Sequence, residues 1–352
     1  MKKFIIIIIA LTLFSCGRWK TTKLKAGELC SLESGQAPGN VKLQFDQDNI
    51  LSISFGIRIH QDNIYTADNI LRRVQILDKN CAPTLIIGPK DDLQKNTSGA
   101  QKSNFNFSII GSIISDSDDN IYIQNRFTSA EMNVDASQSN LIAFSPTYIL
   151  VFDSKGSLLY TLGRRGTPDL PFNFIDDMII DSRDRLIVIT RAIDTWSVYI
   201  FKNKRKIFEQ NFEEVYFKDS SEGTGIIENI KAFQNGENLL LSIAYYENSN
   251  FKYRKILNYP IEKNRIDNTI MSIPEPQNEL FTIVGNKLIY LWDVQEKNVR
   301  FMICNLSGDI INNVLVKFPD KHDAYTEVIT DENGDLFSYH VINKRIEILR
   351  WR

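Results

Sequence analysis

The sequence predicts an all-β fold, a six-bladed β-propeller. Two observations support this prediction. A strand-forming segment recurs along the chain at a spacing of roughly fifty residues, and each recurrence follows a short turn of Gly, Asn or Asp. The six segments, which we assign to strand B of six four-stranded blades, are 63–65, 120–123, 185–189, 238–241, 287–290 and 335–337. Strand-built repeats of this kind are typical of propellers, a fold that by itself implies no chemistry.

Apolar segments on either side of these repeats supply the other strands. Strand A, nearest the central channel, is predicted at 53–59, 110–115, 177–181, 227–233, 280–284 and 326–330. Strand C, rich in Ile, Val, Tyr and Phe as strands require, is predicted at 73–77, 148–152, 197–201, 251–257, 300–304 and 345–349. Strand D follows a turn, as at 158–162 and 310–316. Blade 4 is the least regular, because Pro260 falls where its C–D connection should lie.

The sixth repeat has no strand D, because the sequence stops soon after its strand C. At the other end, residues 41–45 alternate apolar and polar side chains and belong to no blade. We therefore expect an N-terminal strand at 41–45 to join the last blade, which closes the ring in a three-plus-one arrangement and removes its open edges. The propeller is predicted to span residues 40–352.

The first residues resemble the signal peptide of a bacterial lipoprotein. A basic start at Lys2 and Lys3 precedes an apolar run over 4–14, which is too short to span a bilayer. The run ends in Leu-Phe-Ser-Cys at 13–16, which resembles a lipobox. The resemblance implies that residues 1–15 are removed and that Cys16 carries the acyl chains, palmitate among them, that anchor the protein in the lipid bilayer. An ordinary signal peptide with a free Cys16 is the alternative.

The predicted mature protein begins with a polar tether over residues 16–39. Gly17 follows Cys16, whereas many Gram-negative lipoproteins that are retained at the inner membrane have Asp at this position. We therefore expect the protein to be anchored in the cell envelope, at the outer membrane. Loss of Lys2 and Lys3 from 41 basic residues leaves 39 against 43 acidic ones, a net charge of −4. This balance, without a basic block, argues against nucleic acid as a partner.

Blade 1 carries a more specific pattern. It reads Asp-Asn-Ile-Tyr-Thr-Ala-Asp at 62–68, then Arg-Val-Gln-Ile-Leu-Asp at 73–78, and ends in Gly88. Blade 2 follows with Asn-Ile-Tyr at 120–122 and a Gly-Arg-Arg-Gly connector at 163–166. Over about a third of the chain this resembles an NHL repeat. The resemblance implies a lipoprotein propeller that binds proteins, peptides, glycans or RNA; some related six-bladed propellers are enzymes.

The lengths of the connections favour one face of the predicted propeller. All A–B turns are short, whereas every long segment is a B–C or D–A connection, and these emerge on the opposite face. The long segments are 89–107, 126–147, 164–174, 212–225 and 269–278. Binding loops on a rigid scaffold are expected on such a face. Six residues at this end of the B strands are predicted to ring the channel mouth and to bind a ligand; they are Asp68, Arg126, Arg191, Tyr245, Trp292 and His340.

These observations predict a membrane-anchored scaffold for a protein, peptide or glycan, without catalytic residues, metal site or cofactor. The three histidines do not pair at metal-ligand spacing, and the acidic segment 116–120 lacks the Gly and Glu of a calcium loop. The alternative function is an extracytoplasmic metal-dependent lactonase or lyase, whose acids would come from separate blades. The sequence also leaves one structural question open. Cys30 and Cys81 both fall toward the short-loop face, where they either form a disulfide or remain thiols.

Overall fold

Six antiparallel blades surround a central channel in the computed structural model of this chain. The structure describes residues 21–46, 49–52, 54–91, 99–126, 147–163, 172–220, 223–319 and 326–352. In blades 1 to 5 the chain runs through strands A to D from the channel outward, and in blade 6 it runs through A to C, with strand D supplied from the N-terminal part of the chain. The six predicted repeats are thereby confirmed as blades of a propeller. Within the described ranges, no helix is long and apolar enough to cross a membrane.

The strands of each blade, from A to D, have the following bounds. Blade 1 contains Phe55–His60, Asn63–Asp68, Arg73–Leu77 and Pro83–Gly88, and blade 2 contains Ile109–Ser115, Ile121–Arg126, Thr147–Phe152 and Leu158–Leu162. Blade 3 contains Phe174–Ile180, Leu186–Arg191, Thr195–Lys202 and Arg205–Glu213, and blade 4 contains Gly223–Ala232, Asn238–Glu247, Asn250–Pro260 and Asn268–Ile273. Blade 5 contains Glu279–Val284, Leu288–Gln295, Asn298–Asn305 and Ile310–Lys317, and blade 6 contains Thr326–Thr330, Leu336–Ile342, Arg345–Trp351 and Ala26–Glu33.

Three short strands extend these blades. Gln101–Asn104 pairs in parallel with strand D of blade 1, Thr22–Lys23 pairs in parallel with strand D of blade 5, and Val215–Ser220 pairs with strand A of blade 4. A separate hairpin joins Gln44–Asp46 to Asn49–Ser52. The first two strands cover the outer edges of their blades, where unpaired backbone groups would otherwise be exposed.

An N-terminal strand closes the ring, as predicted, but its predicted position was wrong. Ala26–Glu33 pairs antiparallel with Arg345–Trp351 and so supplies strand D of blade 6, whereas residues 41–45 do not join the blade. The eight residues of Ala26–Glu33 pair along all seven residues of the C strand, with a bulge between Glu28 and Cys30. Residues 26–33, assigned from sequence to the tether, are therefore part of the propeller.

Residues 41–45 alternate for a different reason. Val41 and Leu43 are buried in the seam between blades 6 and 1, but Val41 forms only an isolated bridge, to Ser34. Val41 also exchanges backbone hydrogen bonds with Glu33 and Gly35, and Lys42 N donates to Asp68 of blade 1. Residues 41–43 therefore have the burial pattern of a strand without joining a blade, and residues 44–45 belong to the separate hairpin.

A disulfide fastens the same seam. The structure joins Cys30, in the closing strand, to Cys81, in the C–D turn of blade 1, with an S–S distance of 1.98 Å. The bond links the last blade to the first across the point where the ring closes. Cys304 is a buried free thiol in blade 5.

Blade 4 also departs from the sequence prediction. The segment 269–278 is not a long loop, because Asn268–Ile273 forms the outer strand of that blade. Strand C continues to Pro260, which lies opposite Asn238 at the end of the ladder, where its missing N–H costs least. Two more of the predicted long segments contain strands, Gln101–Asn104 within 89–107 and Val215–Ser220 within 212–225, so these are not continuous loops either. Most of the segments 126–147 and 164–174 lies outside the described residues.

The hydrophobic core is divided among the blade interfaces. Six clusters of buried side chains occur in the described residues, and each joins two neighbouring blades. Strand B is buried on both faces; in blade 3, for example, Ile187, Val188 and Ile189 are each 0% exposed. Burial of this kind stabilises the fold by roughly 25 cal/mol per Å² of apolar surface. Packing between the blades thus holds the A strands, which line the channel, in fixed positions.

The short-loop face, where the A–B and C–D turns emerge, repeats one device. Six turns begin with an Asp or Asn whose Oδ1 accepts hydrogen bonds from the backbone N–H groups two and four residues later. These residues are Asp78, Asp116, Asp153, Asp181, Asn305 and Asp331. Asx side chains satisfy tight turns in this way, so the acidic segment 116–120 is a turn. The opposite face, which carries the B–C and D–A connections, is called the long-loop face below.

Candidate functional site

A cavity of about 510 Å³ occupies the channel and is lined by the A strands of all six blades. The volume lies within the range of sites for small ligands, which is roughly 300–1,000 Å³. Blades face each other in pairs across it: blade 1 opposite blade 4, blade 2 opposite blade 5, and blade 3 opposite blade 6. We call this space the channel cavity.

The wall of the channel cavity is shaped by β-bulges. In blades 2, 3, 4 and 5 the register between strands A and B slips by one residue at corresponding positions, between Ile110 and Ile113, Ile175 and Asp177, Ile227 and Asn229, and Leu280 and Thr282. The A strands of blades 1 and 6 pair with strand B without a slip. A bulge re-aims side chains and is common beside active sites. Asp176 and Phe281 are the extra residues of blades 3 and 5, and both line the cavity.

A charged cluster forms the floor of the channel cavity. Lys231 Nζ lies 2.9 Å from Asp177 Oδ2, and Arg58 Nη1 lies 3.9 Å from Asp177 Oδ1. The three side chains also line a smaller cavity of about 100 Å³ toward the short-loop face, so they separate the two spaces. Burial alone would raise the pKa of Asp177, but the charges of Lys231 and Arg58 outweigh it and hold this pKa below the usual value. Burial would likewise lower the pKa of Lys231, but Asp177 and Asp176 raise it.

Asp176 is less well compensated than its neighbour. The side chain is exposed to the channel, although protein surrounds it, and no hydrogen bond or ion pair to it occurs in the described part of the chain. Partial burial raises its pKa, Lys231 opposes that effect, and the negative charge of Asp177 adds to it. A carboxyl group with a raised pKa in a cavity is a marker of functional sites.

Strand B of blade 2 presents two unused hydrogen-bond donors. Gln124 Nε2 and Arg126 Nε are buried atoms of cavity-lining residues, and neither has a partner among the residues that the structure describes. Gln124 is only 1% exposed, and its Oε1 accepts a hydrogen bond of 3.0 Å from Ser112 N. Gly111 makes this approach possible, since a Cβ there would lie 2.3 Å from Gln124 Oε1.

Arg126 is held against the next blade. Its guanidinium carbon lies 5.1 Å from the centroid of the Phe174 ring, a cation–π distance. Burial lowers the pKa of Arg126, yet an arginine stays charged in proteins. No salt bridge to Arg126 occurs in the described residues, so a positive charge faces the cavity beside the Gln124 amide. A negatively charged group that accepts hydrogen bonds would satisfy both the Gln124 amide and the Arg126 guanidinium.

Aromatic rings form the opposite wall. Trp292 and Phe281 stack at 4.5 Å between ring centroids, with an angle of 30° between their planes. Both rings belong to blade 5, across the channel from Gln124 and Arg126. In blade 6, Tyr339 donates a hydrogen bond to Glu327 Oε2. The cavity therefore combines an apolar, planar surface with a cationic wall.

The six residues predicted to ring the channel mouth fall into three groups. Arg126 and Trp292 line the channel cavity. Arg191 lies in a neighbouring pocket, where it pairs with Glu214 at 2.6 Å and stands over the Trp196 ring. Asp68, Tyr245 and His340 are 0%, 3% and 0% exposed and do not line the cavity.

Asp68 supports the seam between the blades. Its Oδ2 accepts a hydrogen bond of 2.7 Å from Lys42 N, and its Oδ1 accepts from Ile70 N and Leu71 N. Close by, Arg73 donates to the carbonyl oxygens of Gln36, Ala37 and Asn40 at 2.8–3.0 Å. Gln75 donates to Asn40 O and accepts from Gly39 N. Polar residues of the NHL-like pattern thus fix the backbone of residues 36–42.

The other two buried residues act inside their blades. His340 Nε2 lies 2.7 Å from Ser338 Oγ, and the His340 ring makes an edge contact with Phe318. Tyr245 packs against Tyr253 with 5.1 Å between ring centroids. Position at the end of strand B does not determine exposure, because side chains on a strand alternate between faces and the local connection decides what covers them.

Sequence reasoning missed Gln124, Asp176, Asp177 and Lys231. One signal was present: two adjacent acids interrupt an otherwise apolar inner strand at 174–180. The bulge that turns both toward the channel depends on pairing between strands, which the sequence does not show. Cys16 and most of the segments 126–147 and 164–174 lie outside the described residues. Among the residues described, no three His, Cys, Asp or Glu side chains are grouped as a metal site.

No protein-family model matches the chain, and no curated protein sequence matches it. Solved structures match the chain at low identity and at TM-scores below 0.5. A Dos1 propeller shares 10% identity at a TM-score of 0.39, covering 94% of this chain and 95% of that one. A protein of unknown function from Bacteroides caccae shares 12% at 0.40, covering 76% and 86%. The WD40 domain of Toxoplasma gondii coronin shares 9% at 0.45, covering 94% and 76%.

Proposed function

We propose that this protein is a lipid-anchored, extracytoplasmic binding propeller of the NHL kind, which takes a carboxylate-bearing part of a peptide, protein or glycan into its channel cavity. The observation that carries this proposal is a pair of buried donors, Gln124 Nε2 and Arg126 Nε, that have no partner in the described part of the chain and lie on one wall of a 510 Å³ cavity. A buried polar group without a partner costs about 1–3 kcal/mol. A ligand that satisfies both donors recovers that cost on binding.

The chemistry of the opposite wall narrows the ligand. A carboxylate accepts two hydrogen bonds side by side and suits the Arg126 guanidinium. Trp292 and Phe281 offer a flat surface about one channel width away, which fits an aromatic side chain or the apolar face of a sugar ring. A peptide C-terminus beside an aromatic residue, or a uronic acid in a glycan, has both features.

The anchor and location in this proposal rest on the sequence. The apolar run over residues 4–14 and the cysteine at position 16 resemble a lipoprotein signal, and the blade 1 pattern resembles an NHL repeat. An outer-membrane lipoprotein would carry its propeller outside the cytoplasm. The Cys30–Cys81 disulfide is compatible with such an oxidising compartment.

Calorimetry on the full chain in detergent tests the proposed ligand chemistry. The probes are N-acetyl-Ala-Phe with a free carboxylate, its C-terminal amide, galacturonic acid and galactose. We expect the carboxylate member of at least one pair to bind at least ~10-fold more tightly than its neutral counterpart, because a charge-assisted contact is worth about 1.5–3 kcal/mol. Peptide and glycan ligands are separated by which pair shows the difference.

Three variants locate the binding. Arg126→Gln and Trp292→Ala should each weaken the bound probe at least ~10-fold, the loss expected when a binding hot spot is truncated. Arg300→Gln is the matched control, because it removes one exposed arginine on strand C of blade 5, away from the cavity. Equal binding of acid and neutral probes, or equal losses in Arg126→Gln and Arg300→Gln, would contradict the proposal.

A further inference from the structure

A second pocket, of about 290 Å³, opens on the long-loop face at blade 4. Its walls come from the ends of strands in three blades: Arg191 and Glu214 of blade 3 and its connection, Glu228 and Ser242 of blade 4, and Glu279 of blade 5. No residue lines both this pocket and the channel cavity. We call this space the blade 4 pocket.

The blade 4 pocket has an excess of negative charge. Three carboxylates line it against one arginine. Glu214 is paired with Arg191 at 2.6 Å, and Glu228 is paired with the buried Arg254 at 2.6 Å. Glu279 is exposed, and no ion pair to it occurs in the described ranges. Burial raises the pKa of the Tyr246 hydroxyl, and the charges of Glu228 and Glu279 raise it further, as expected for a negative field.

Two buried polar atoms in the same pocket have no partner among the residues described: Ser242 Oγ and Asn229 Oδ1. Ser242 is 1% exposed. Asn229 Nδ2 donates to Leu280 O at 3.0 Å, and this bond identifies Oδ1 as the unused atom. An amide oxygen only accepts hydrogen bonds, and a hydroxyl can accept them. A ligand that donates hydrogen bonds would therefore satisfy both atoms.

We propose that the blade 4 pocket binds a primary ammonium group. An ammonium carries three donors and no acceptor, and Ser242 Oγ, Asn229 Oδ1 and the Glu279 carboxylate are three acceptors for it. The positive charge offsets the unpaired Glu279. The same chemistry occurs in a lysine side chain and in an amino sugar, and the experiment separates these sources.

Binding of small amines to the full chain in detergent tests this site. Nα-acetyl-lysine amide is compared with the norleucine analogue, which has the same carbon chain without nitrogen, and glucosamine is compared with N-acetylglucosamine. We expect at least one amine to bind and its neutral counterpart to show no measurable binding at the same concentrations. The amine that binds identifies the source of the ammonium group.

Variants separate the site from general electrostatics. Glu279→Gln removes one charge without changing size, and we expect a loss of amine affinity of ~10-fold or more. Glu296→Gln removes another exposed charge, in the B–C turn of blade 5, and should leave binding unchanged. Ser242→Ala should weaken binding without lowering stability, because its hydroxyl has no partner to lose among the residues that the structure describes.

Three results would overturn the proposal: no binding of either amine at millimolar concentration, equal binding of the neutral analogues, or equal losses in Glu279→Gln and Glu296→Gln. The first would mean that the unused acceptors serve only ordered water. Binding in the channel cavity is measured with different probes and different variants, so failure here leaves the proposed function untouched.

Discussion

Arg73 shows how one side chain can organise a seam between blades. It is fully buried and donates to three backbone carbonyls between residues 36 and 40. Loss of this charged donor would remove three hydrogen bonds and leave Gln36 O without its partner, whereas Asn40 O would keep Gln75 Nε2 and Ala37 O would keep Asn40 N. A buried polar group without a partner costs about 1–3 kcal/mol. We expect Arg73→Met to lower the free energy of unfolding in urea by about 3–5 kcal/mol. Arg72→Met, at the exposed neighbouring position, should change it by less than ~0.5 kcal/mol. Similar losses in the two variants would show that Arg73 does not support the seam.

Asp176, unlike Arg73, lowers the stability of the folded protein at neutral pH. Its pKa is raised in the folded protein, so between the unfolded and folded pKa values the native state binds more protons than the unfolded state. Stability from this group therefore falls as the pH rises above about 4 and through the folded pKa. Asp176→Asn removes this loss.

We expect Asp176→Asn to be more stable than the parent at pH 7, with the difference shrinking as the pH falls toward 3. Thermal unfolding across this range measures it. Asp153→Asn, in an exposed turn of blade 2, serves as a control for the removal of one carboxylate. A variant less stable than the parent at pH 7 would show that Asp176 stabilises the channel. A gain in stability on replacing Asp176 is expected of a functional residue, because functional residues are often retained at a cost in stability.

The closing strand and its disulfide are the elements on which the ring depends. Cys30 and Cys81 are 51 positions apart in sequence. A loop of that length gives about 4 kcal/mol of stabilisation in the chain-entropy treatment of disulfides. We expect the double variant Cys30→Ser, Cys81→Ser to lose up to this amount in urea unfolding. Reducing agent should lower the stability of the parent and leave the double variant unchanged. A parent insensitive to reductant would contradict the bridge.

The sequence predicts elements better than the contacts between them. Strand B of each blade is found where its turn and apolar residues indicate, because those signals are local. The position of the closing strand is not local. Both 26–33 and 41–45 have residues facing the same seam, and only pairing with Arg345–Trp351 selects the first. Asp176 in the cavity likewise depends on a bulge, and Asp68 is covered by a segment distant in sequence.

The position of the closing strand has a consequence for the whole molecule. Because the strand begins at Ala26 and the preceding residues 22–23 pair with the outer edge of blade 5, the connection from Cys16 is short. The five steps from Cys16 to residue 21 span at most about 17 Å. If Cys16 carries the lipid, the propeller lies close to the membrane surface.

Cys16→Ala tests the anchor. We expect the parent to incorporate labelled palmitate and to fractionate with membranes, and the variant to do neither, because several acyl chains make membrane binding effectively permanent. Cys304→Ala, which changes a buried thiol in blade 5, is the control for loss of a cysteine. Labelling of Cys16→Ala at the level of the parent would contradict the proposed lipidation.

The central claim is that a ligand uses Gln124 Nε2 and Arg126 Nε, two buried donors without a partner among the described residues. A crystal structure of the full chain with 3-phenylpropionate tests this claim most directly. The account predicts a carboxylate within about 3.2 Å of Gln124 Nε2 and Arg126 Nε, with the phenyl ring against Trp292 and Phe281. A structure in which both donors bind groups of the protein itself, or in which the carboxylate lies elsewhere, would contradict it.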